Sequence, residues 1–351
     1  MVGQLSRRNQ ISVMSDILRI GLIGAGQNTR TMHIPGFQAI DGVEVVVVAN
    51  RSRESSQRVA DKFGIPRIAD SWQMVVADPE VDAICIGTWP YLHAEITCAA
   101  LSKGKHVLTE ARMARNLTEA EEMLAASRKY SDLVAQVVPS PMTLPLDQTI
   151  REKITSGHLG DIREICVTHT TSGNADASTP MTWRQDFELS GYNTMALGIF
   201  YEAVLRWMQA DVKVECANAA IHTPQRLRSD GSMGEVKIPE SLTVLGRYEQ
   251  GARLIMHLSG VERGPSREEI RIHGSERSLR ISIFTAEMWE TDASGVETPV
   301  VIDEALKQAW RVEADFVDSI REDAPVRLTD FETGVRTMRF TDDVWHAWSG
   351  K

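Results

Sequence analysis

The stretch Leu18-Arg-Ile-Gly-Leu-Ile23-Gly24-Ala25-Gly26-Gln27-Asn28-Thr29 begins as an apolar strand, breaks on two glycines and continues into residues that suit a helix. A strand, a tight turn and a helix in that order make an anion cradle. The first glycine permits the turn, the second lets backbone N–H groups come close to a pyrophosphate, and the helix points its positive end at the charge. Gly24, Gly26, Gln27 and Asn28 are therefore expected to line the phosphates of a dinucleotide. Thr29 stands where G-x-G-x-x-G has its third small residue, so the fingerprint is broken at one place.

Working outward, strand-like and helix-like segments alternate as far as Pro139. The run Val43-Glu-Val-Val-Val-Val-Ala49 reads as a strand buried on both faces, and 82–88, 106–109 and 133–138 are further strands. Helices are expected over 52–63, closed by Gly64, over 93–103, closed by Gly104, and from Thr118, where Thr118 and Glu121 have the spacing of a capping box. This alternation predicts a doubly wound parallel sheet, a Rossmann domain over 17–140 behind a flexible leader over 1–16. Pro139, Pro141 and Pro145 end that regime. Beyond them a helix over 146–156, a strand over 162–171, an irregular stretch over 172–190 and a helix over 194–208 are expected. Strands then follow at 241–249, 252–258, 268–274, 279–283 and 286–290, and helices at 309–321 and 330–348. The second domain, 141–351, is thus read as α+β with a large open, mostly antiparallel sheet. Its last helix is free to pack back on the first domain.

Composition narrows the function. A net charge of -10, with 42% apolar and 25% charged residues, describes a globular protein and disfavours nucleic acid or an anionic membrane as partner. No apolar run approaches the roughly 18 residues of a membrane span, and the leader lacks the apolar segment of a signal peptide. Met14 is a second possible start. Cys85, Cys98, Cys166 and Cys216 are scattered without a C-x-x-C, so no metal centre is expected and Cys85 reads as a core residue. A cytoplasmic protein is expected.

Several motifs together resemble the Gfo/Idh/MocA oxidoreductase family along almost the whole chain. They are the Gly24/Gly26 turn, Thr88-Trp-Pro-Tyr-Leu-His-Ala-Glu95, Gly104-Lys-His-Val-Leu-Thr-Glu110, Gly157-His-Leu-Gly-Asp-Ile162, Trp183-Arg184, and Asp330-Phe-Glu-Thr-Gly-Val-Arg336 leading to the C-terminal Ser349-Gly350-Lys351. The resemblance implies a Rossmann domain binding NAD(H) or NADP(H), a C-terminal sheet that forms homodimers or homotetramers, and a sugar, polyol or related substrate. It places Thr88, Trp89, His93 and Glu110 around the cofactor, with His93 supporting the nicotinamide end. Asn50-Arg51-Ser52 stands where an acid would meet the ribose hydroxyls. Without that acid, Arg51 and Arg53 are free to pair with a 2′-phosphate, which favours NADP over NAD. The plainer reading is a solvated helix start.

The same alignment puts Ala111, Ala196 and Phe200 where the family has its catalytic Lys, Asp and His. Arg112, Arg184, His169 and Tyr192 are the candidate substitutes, to polarise an oxygen or carry a proton. Each has an ordinary alternative: a loop ion pair for Arg112, a structural ion pair for Arg184, an exposed strand position for His169 and packing for Tyr192. Three functions stay open: an oxidoreductase with non-standard acid/base residues, a nicotinamide-retaining enzyme of non-redox net chemistry such as a lyase or glycoside-cleaving enzyme, and a non-catalytic sugar or nucleotide sensor.

Overall fold

The computed structural model describes residues 17–350, so the leader expected over 1–16 lies outside the described residues. Strands β1 (Leu18–Ile23), β2 (Val43–Ala49), β3 (Arg67–Ile68), β4 (Ala83–Ile86), β5 (His106–Thr109) and β6 (Ala135–Val137) form a parallel sheet in the order β3-β2-β1-β4-β5-β6. The order reverses between β1 and β4, which opens a crevice at the C-terminal ends of those strands. Helices α1 (Ile34–Gln38), α2 (Arg53–Phe63), α3 (Trp72–Ala77), α4 (His93–Ser102) and α5 (Leu117–Lys129) make the crossovers. Local chemistry explains their ends. Ser52 caps α2 by accepting the Ser55 N–H, and Gly64 closes it with φ of 67°. Asn116, rather than Thr118, caps α5: its Oδ1 accepts the Glu119 N–H at 3.0 Å, so the helix starts earlier than the sequence pattern suggests. The two-residue β3 and six-residue α3 are too short to show a period and are absent from the sequence reading.

After α6 (Leu144–Thr155) the chain builds β7 (Ile162–Thr170), α7 (Phe187–Ser190), α8 (Leu197–Met208), β8 (Val212–Ala220), β9 (Gln225–Leu227), β10 (Met233–Glu235), β11 (Ser241–Tyr248), β12 (Arg253–Ser259), β13 (Arg267–Gly274), β14 (Ser278–Ser282), β15 (Glu287–Thr291) and β16 (Glu297–Pro299). Eight of these strands form one open sheet in the order β16-β15-β14-β13-β7-β12-β11-β8. All neighbours are antiparallel except β7 and β12, so the expected mostly antiparallel sheet is present, with β8 and β16 as edge strands that were not anticipated. Apolar residues of α6 and α8 cover one face, joined by Phe340 and Val344. The last helices, α9 (Val312–Glu322) and α10 (Phe331–Ser349), return to the first domain: Phe316 packs on Phe37 and Glu332 pairs with Arg128. No described helix is long and apolar enough to cross a membrane.

Candidate active site

The glycine turn is intact despite its broken pattern. Gly24 has φ of 82°, and a Cβ there would lie 2.7 Å from Thr88 N. Thr29 is tolerated because the space comes from the neighbouring strand end: a Cβ on Gly87 would stand 2.1 Å from Thr29 Oγ1 and 2.2 Å from Gly24 O. Thr29 Oγ1 donates to Gly24 O at 3.2 Å, so the threonine braces the turn. Asn50 braces it from the other side. Its Oδ1 accepts the Ala25 N–H at 2.6 Å, and its Nδ2 donates to Ser55 Oγ at 3.3 Å. The amides of Gly26, Gln27 and Asn28 donate to no group among the described residues, and a Cβ on Gly26 would meet only Gly87 O, at 3.5 Å. Free helix-start donors over open space are what a pyrophosphate needs.

From that turn a buried chain of charge runs to the C-terminal segment. Asn28 Nδ2 donates to Glu110 Oε1 at 2.6 Å, and His33 Nε2 donates to the same oxygen at 3.0 Å. His33 Nδ1 meets Glu313 Oε1, whose other oxygen accepts Trp310 Nε1–H at 2.8 Å. Burial alone would lower the His33 pKa, but the two carboxylates outweigh it and hold the imidazole protonated, at about 9. The same imidazolium keeps Glu110 ionised against its own burial. His33, on a π-helical turn over Thr29–His33, was not singled out in the sequence; spacing does not show that a carboxylate lies 280 positions away.

His93 is fully buried with Nε2 3.0 Å from Thr88 O and Nδ1 3.1 Å from Arg112 O. Burial lowers its pKa and keeps it neutral. It therefore positions two loops at the crevice. Above them runs a stack of rings and cations. Trp89 lies 5.9 Å from Trp183 at an interplanar angle of 15°, with Arg51 over Trp89 and Arg184 over Trp183 at 5.7 and 4.4 Å. Arg51 has no carboxylate partner among the described residues, whereas Arg53 pairs with Asp70 and is not available to a phosphate as expected. A cavity of about 690 Å³ next to Ala25 and Ser55 is rimmed by Arg30, Arg58 and Lys62.

Arg112 is only 7% exposed and abuts the first turn of α8, its Cδ 3.2 Å from where a Cβ on Gly198 would stand. Among the described residues the loop ion pair considered for it does not form, and its Nε has no partner. Burial, and then the nearby Arg184 charge, lower its pKa to about 10. Arg184 makes no ion pair among the described residues; it keeps its face on Trp183. His169 lies with its ring 5.0 Å from Phe200 and its Nδ1 3.1 Å from Glu268 Oε1, its cross-strand neighbour, an ion-pair distance outside hydrogen-bond geometry; neither ring nitrogen has a hydrogen-bond partner among the described residues. Burial pushes His169 below the ordinary imidazole range, with Glu268 opposing. Tyr192 lies flat on Trp345 at 4.8 Å and edge-on to His346, so its ring is engaged in packing instead of entering a pocket with these groups. Tyr201 and Glu202 point elsewhere, Tyr201 onto Phe340 and Glu202 to Arg206.

The irregular 172–190 stretch has a hidden frame. Arg226 and Glu240, both fully buried, form an ion pair at 2.8 Å. Arg226 donates to the carbonyls of Asn174, Asp176 and Thr179, and Gln185 Nε2 donates to Glu240. Among the described residues no group of three His, Cys, Asp or Glu is placed to hold a metal.

Residues 18–137 match a family model described as an oxidoreductase family with an NAD-binding Rossmann fold, and residues 148–280 match the GFO/IDH/MocA C-terminal domain. A levoglucosan dehydrogenase of Pseudarthrobacter phenanthrenivorans is 27% identical over 252 residues, 66% of this chain and 63% of its own. A 4-carboxy-2-hydroxymuconate-6-semialdehyde dehydrogenase of Sphingobium sp. is 34% identical over 142 residues, 40% of this chain and 44% of its own. The chain thus matches about half the length of these curated relatives. A levoglucosan dehydrogenase in complex with NADH and L-sorbose shares the fold, with a TM-score of 0.83 and 22% identity over 95% of this chain and 97% of that one. The chain belongs to the Gfo/Idh/MocA oxidoreductase family.

Proposed function

We propose that this family member is an NAD(P)-dependent oxidoreductase that prefers NADP(H), acts on a sugar, polyol or related small molecule, and moves the substrate proton through His169. The observation that carries this reading is the His169–Glu268 pair beside Phe200. On the family alignment Phe200 stands at the usual histidine, and Ala111 and Ala196 at the usual lysine and aspartate. An imidazole from β7 thus reaches the place that the helix leaves apolar.

The residues fit a dinucleotide. The amides of Gly26, Gln27 and Asn28 would hold its pyrophosphate, Asn50 would hold the turn in shape, and Glu110 would face the nicotinamide ribose. Arg51, over the Trp89 ring and without a carboxylate partner among the described residues, supports the choice of a 2′-phosphate. A bound nicotinamide supplies the two-electron acceptor for a C–H hydride. His169, neutral through burial, takes the hydroxyl proton at Nε2 as the carbon becomes a carbonyl, and Glu268 steadies the imidazolium. Arg184 and Arg112 place positive charge near the reacting group. The relative named for levoglucosan supports the substrate class.

A pocket closed by Trp89, Phe200 and Tyr192 would support the sensor reading; their rings instead join three separate contacts, to Trp183, His169 and Trp345. Four free cysteines support a reducing, cytoplasmic setting. Half-buried Leu245 and Ile255, on the sheet face away from α8, support assembly into homodimers or homotetramers.

The test is tryptophan quenching with NADH and NADPH, mass spectrometry of the denatured protein for carried cofactor, and turnover of a sugar panel. Binding of NADPH with turnover that His169→Asn removes is expected. Binding of neither cofactor sinks both enzyme readings, and tight co-purification without net redox turnover moves the choice to a nicotinamide-retaining lyase.

A further inference from the structure

Among the described residues the side chains of Arg112, Arg206 and Arg226 are deeply buried, and the last two are neutralised within the chain. Arg226 pairs with Glu240 at 2.8 Å, and Arg206 pairs with Asp147 and Glu202 at 2.9 and 3.0 Å. Among the described residues Arg112, 7% exposed, has no carboxylate within 4 Å, and its Nε has no hydrogen-bond partner. A buried cation left without a counterion is costly, so the pairing of the other two is the rule and Arg112 breaks it.

Its surroundings add positive character. The Arg184 charge opposes that of Arg112, and among the described residues Arg184 has no ion pair of its own. The first turn of α8, against which Arg112 lies at Gly198, begins at Ala196 with no side chain accepting its N–H groups. The α8 dipole therefore reaches the same place uncapped. Ala111 and Ala196 contribute no charge, and Glu268 is already turned to His169. Glu202, which lines a small cavity together with Arg112, is held by Arg206, so among the described residues the missing element is an anion.

We propose that the counterion of Arg112 is the substrate itself: the compound oxidised or reduced here carries a carboxylate, gripped by Arg112 from below and by Arg184 from the rim. The substrate class is then an acidic sugar or sugar-like hydroxy acid in place of a neutral sugar. The inference rests on the oxidoreductase reading for what happens to that substrate, but not for its binding. A guanidinium fork suits a carboxylate, and the relative named for a carboxy-muconate semialdehyde acts on an acid.

The experiment is calorimetric titration of the NADP+-saturated protein with D-glucuronate and D-gluconate, each against its neutral counterpart, D-glucose and D-sorbitol, with glucose 6-phosphate as a second anion. At least one carboxylate is expected to bind roughly tenfold or more tightly than its neutral counterpart, the scale of one charge-assisted pair. Arg112→Met should abolish that preference while the melting temperature holds or rises, because the substitution removes an unpaired buried charge. Arg184→Met should weaken the preference with the fold unchanged. Equal or tighter binding of neutral sugars, a preference for the phosphate, no binding of either acid, or a preference that survives Arg112→Met overturns the proposal. A drop in melting temperature for Arg112→Met assigns the arginine a structural role and likewise overturns it. Turnover of neutral sugars alone would remove this inference and leave the oxidoreductase standing. Acid binding without hydride transfer would do the reverse.

Discussion

Two places in this chain depart from the pattern around them, and the structure treats them in opposite ways. At the cofactor turn, Thr29 replaces a small residue, Asn50 stands where an acid is common, and both are absorbed. Thr29 is seated against Gly87, Asn50 takes the Ala25 N–H, and every buried charge nearby has a partner. At the first turn of α8, Gly198 lies against Arg112 and Phe200 against His169, and the departures are not absorbed: among the described residues the guanidinium has no carboxylate partner and the imidazole no hydrogen bond. A substitution whose neighbours satisfy its consequences preserves a site. One that leaves a buried charge unanswered marks a place where the missing partner comes from outside.

The largest expected effect tests the open end. His169→Asn should lower kcat by about 10²- to 10⁴-fold, the usual contribution of a positioned proton acceptor. Glu268→Gln should do less and move the acidic limb of the kcat/KM profile to lower pH. Glu268 raises the His169 pKa, which burial has lowered, so its loss lets the imidazole stay neutral further into acid. An unchanged profile would break the assignment of His169.

His33 tests the closed end. Replacing it by Leu leaves Glu110 and Glu313 facing each other unneutralised, at a cost of about 3–5 kcal/mol in urea denaturation. Its pKa is raised from 6.5 to about 9, so its stabilisation is complete below pH 6.5 and is lost as the pH climbs through 9. Unfolding free energy should therefore decline between those values in the native protein, and His33→Leu should flatten that part of the curve.

Gly87→Ala drives a methyl into Thr29 Oγ1 and Gly24 O, and should cost about 1–3 kcal/mol together with cofactor affinity. Thr29→Gly in the same chain should recover only part of this, since the backbone contact remains. Arg51→Ala is expected to weaken NADPH binding about tenfold and leave NADH nearly unchanged, one charge-assisted contact being at stake. Equal loss for both cofactors would point to the Trp89 stack instead of the phosphate. The smallest effect belongs to Tyr192→Phe, which keeps the ring on Trp345 and should change stability by less than about 0.5 kcal/mol with kcat unaffected.

Much of the first domain was legible because its signals are local. The β-branched run of β2, the Ser52 cap and the Gly64 stop each depend on residues within a few positions. Legibility failed where local signals were weak or competing: β3 and α3 are short, β8 is a half-exposed edge strand, and Asn116 outcompeted Thr118 for the same helix start. The order of the 172–190 stretch was hidden because it hangs on Arg226 and Glu240, which lie outside it.

By itself, then, the sequence determined the alternation of strand and helix, the glycine turn and the residue types available for chemistry, all of which follow from short-range periodicity and backbone preference. Only the tertiary structure decided which charges are answered. His33 finds Glu110 and Glu313 at separations of 77 and 280 positions, and His169 finds Glu268 through the register of β13 on β7. Arg112 finds no carboxylate among the described residues. Pairing of buried charge is a property of three-dimensional packing and of the low dielectric it creates, and no spacing along the chain encodes it.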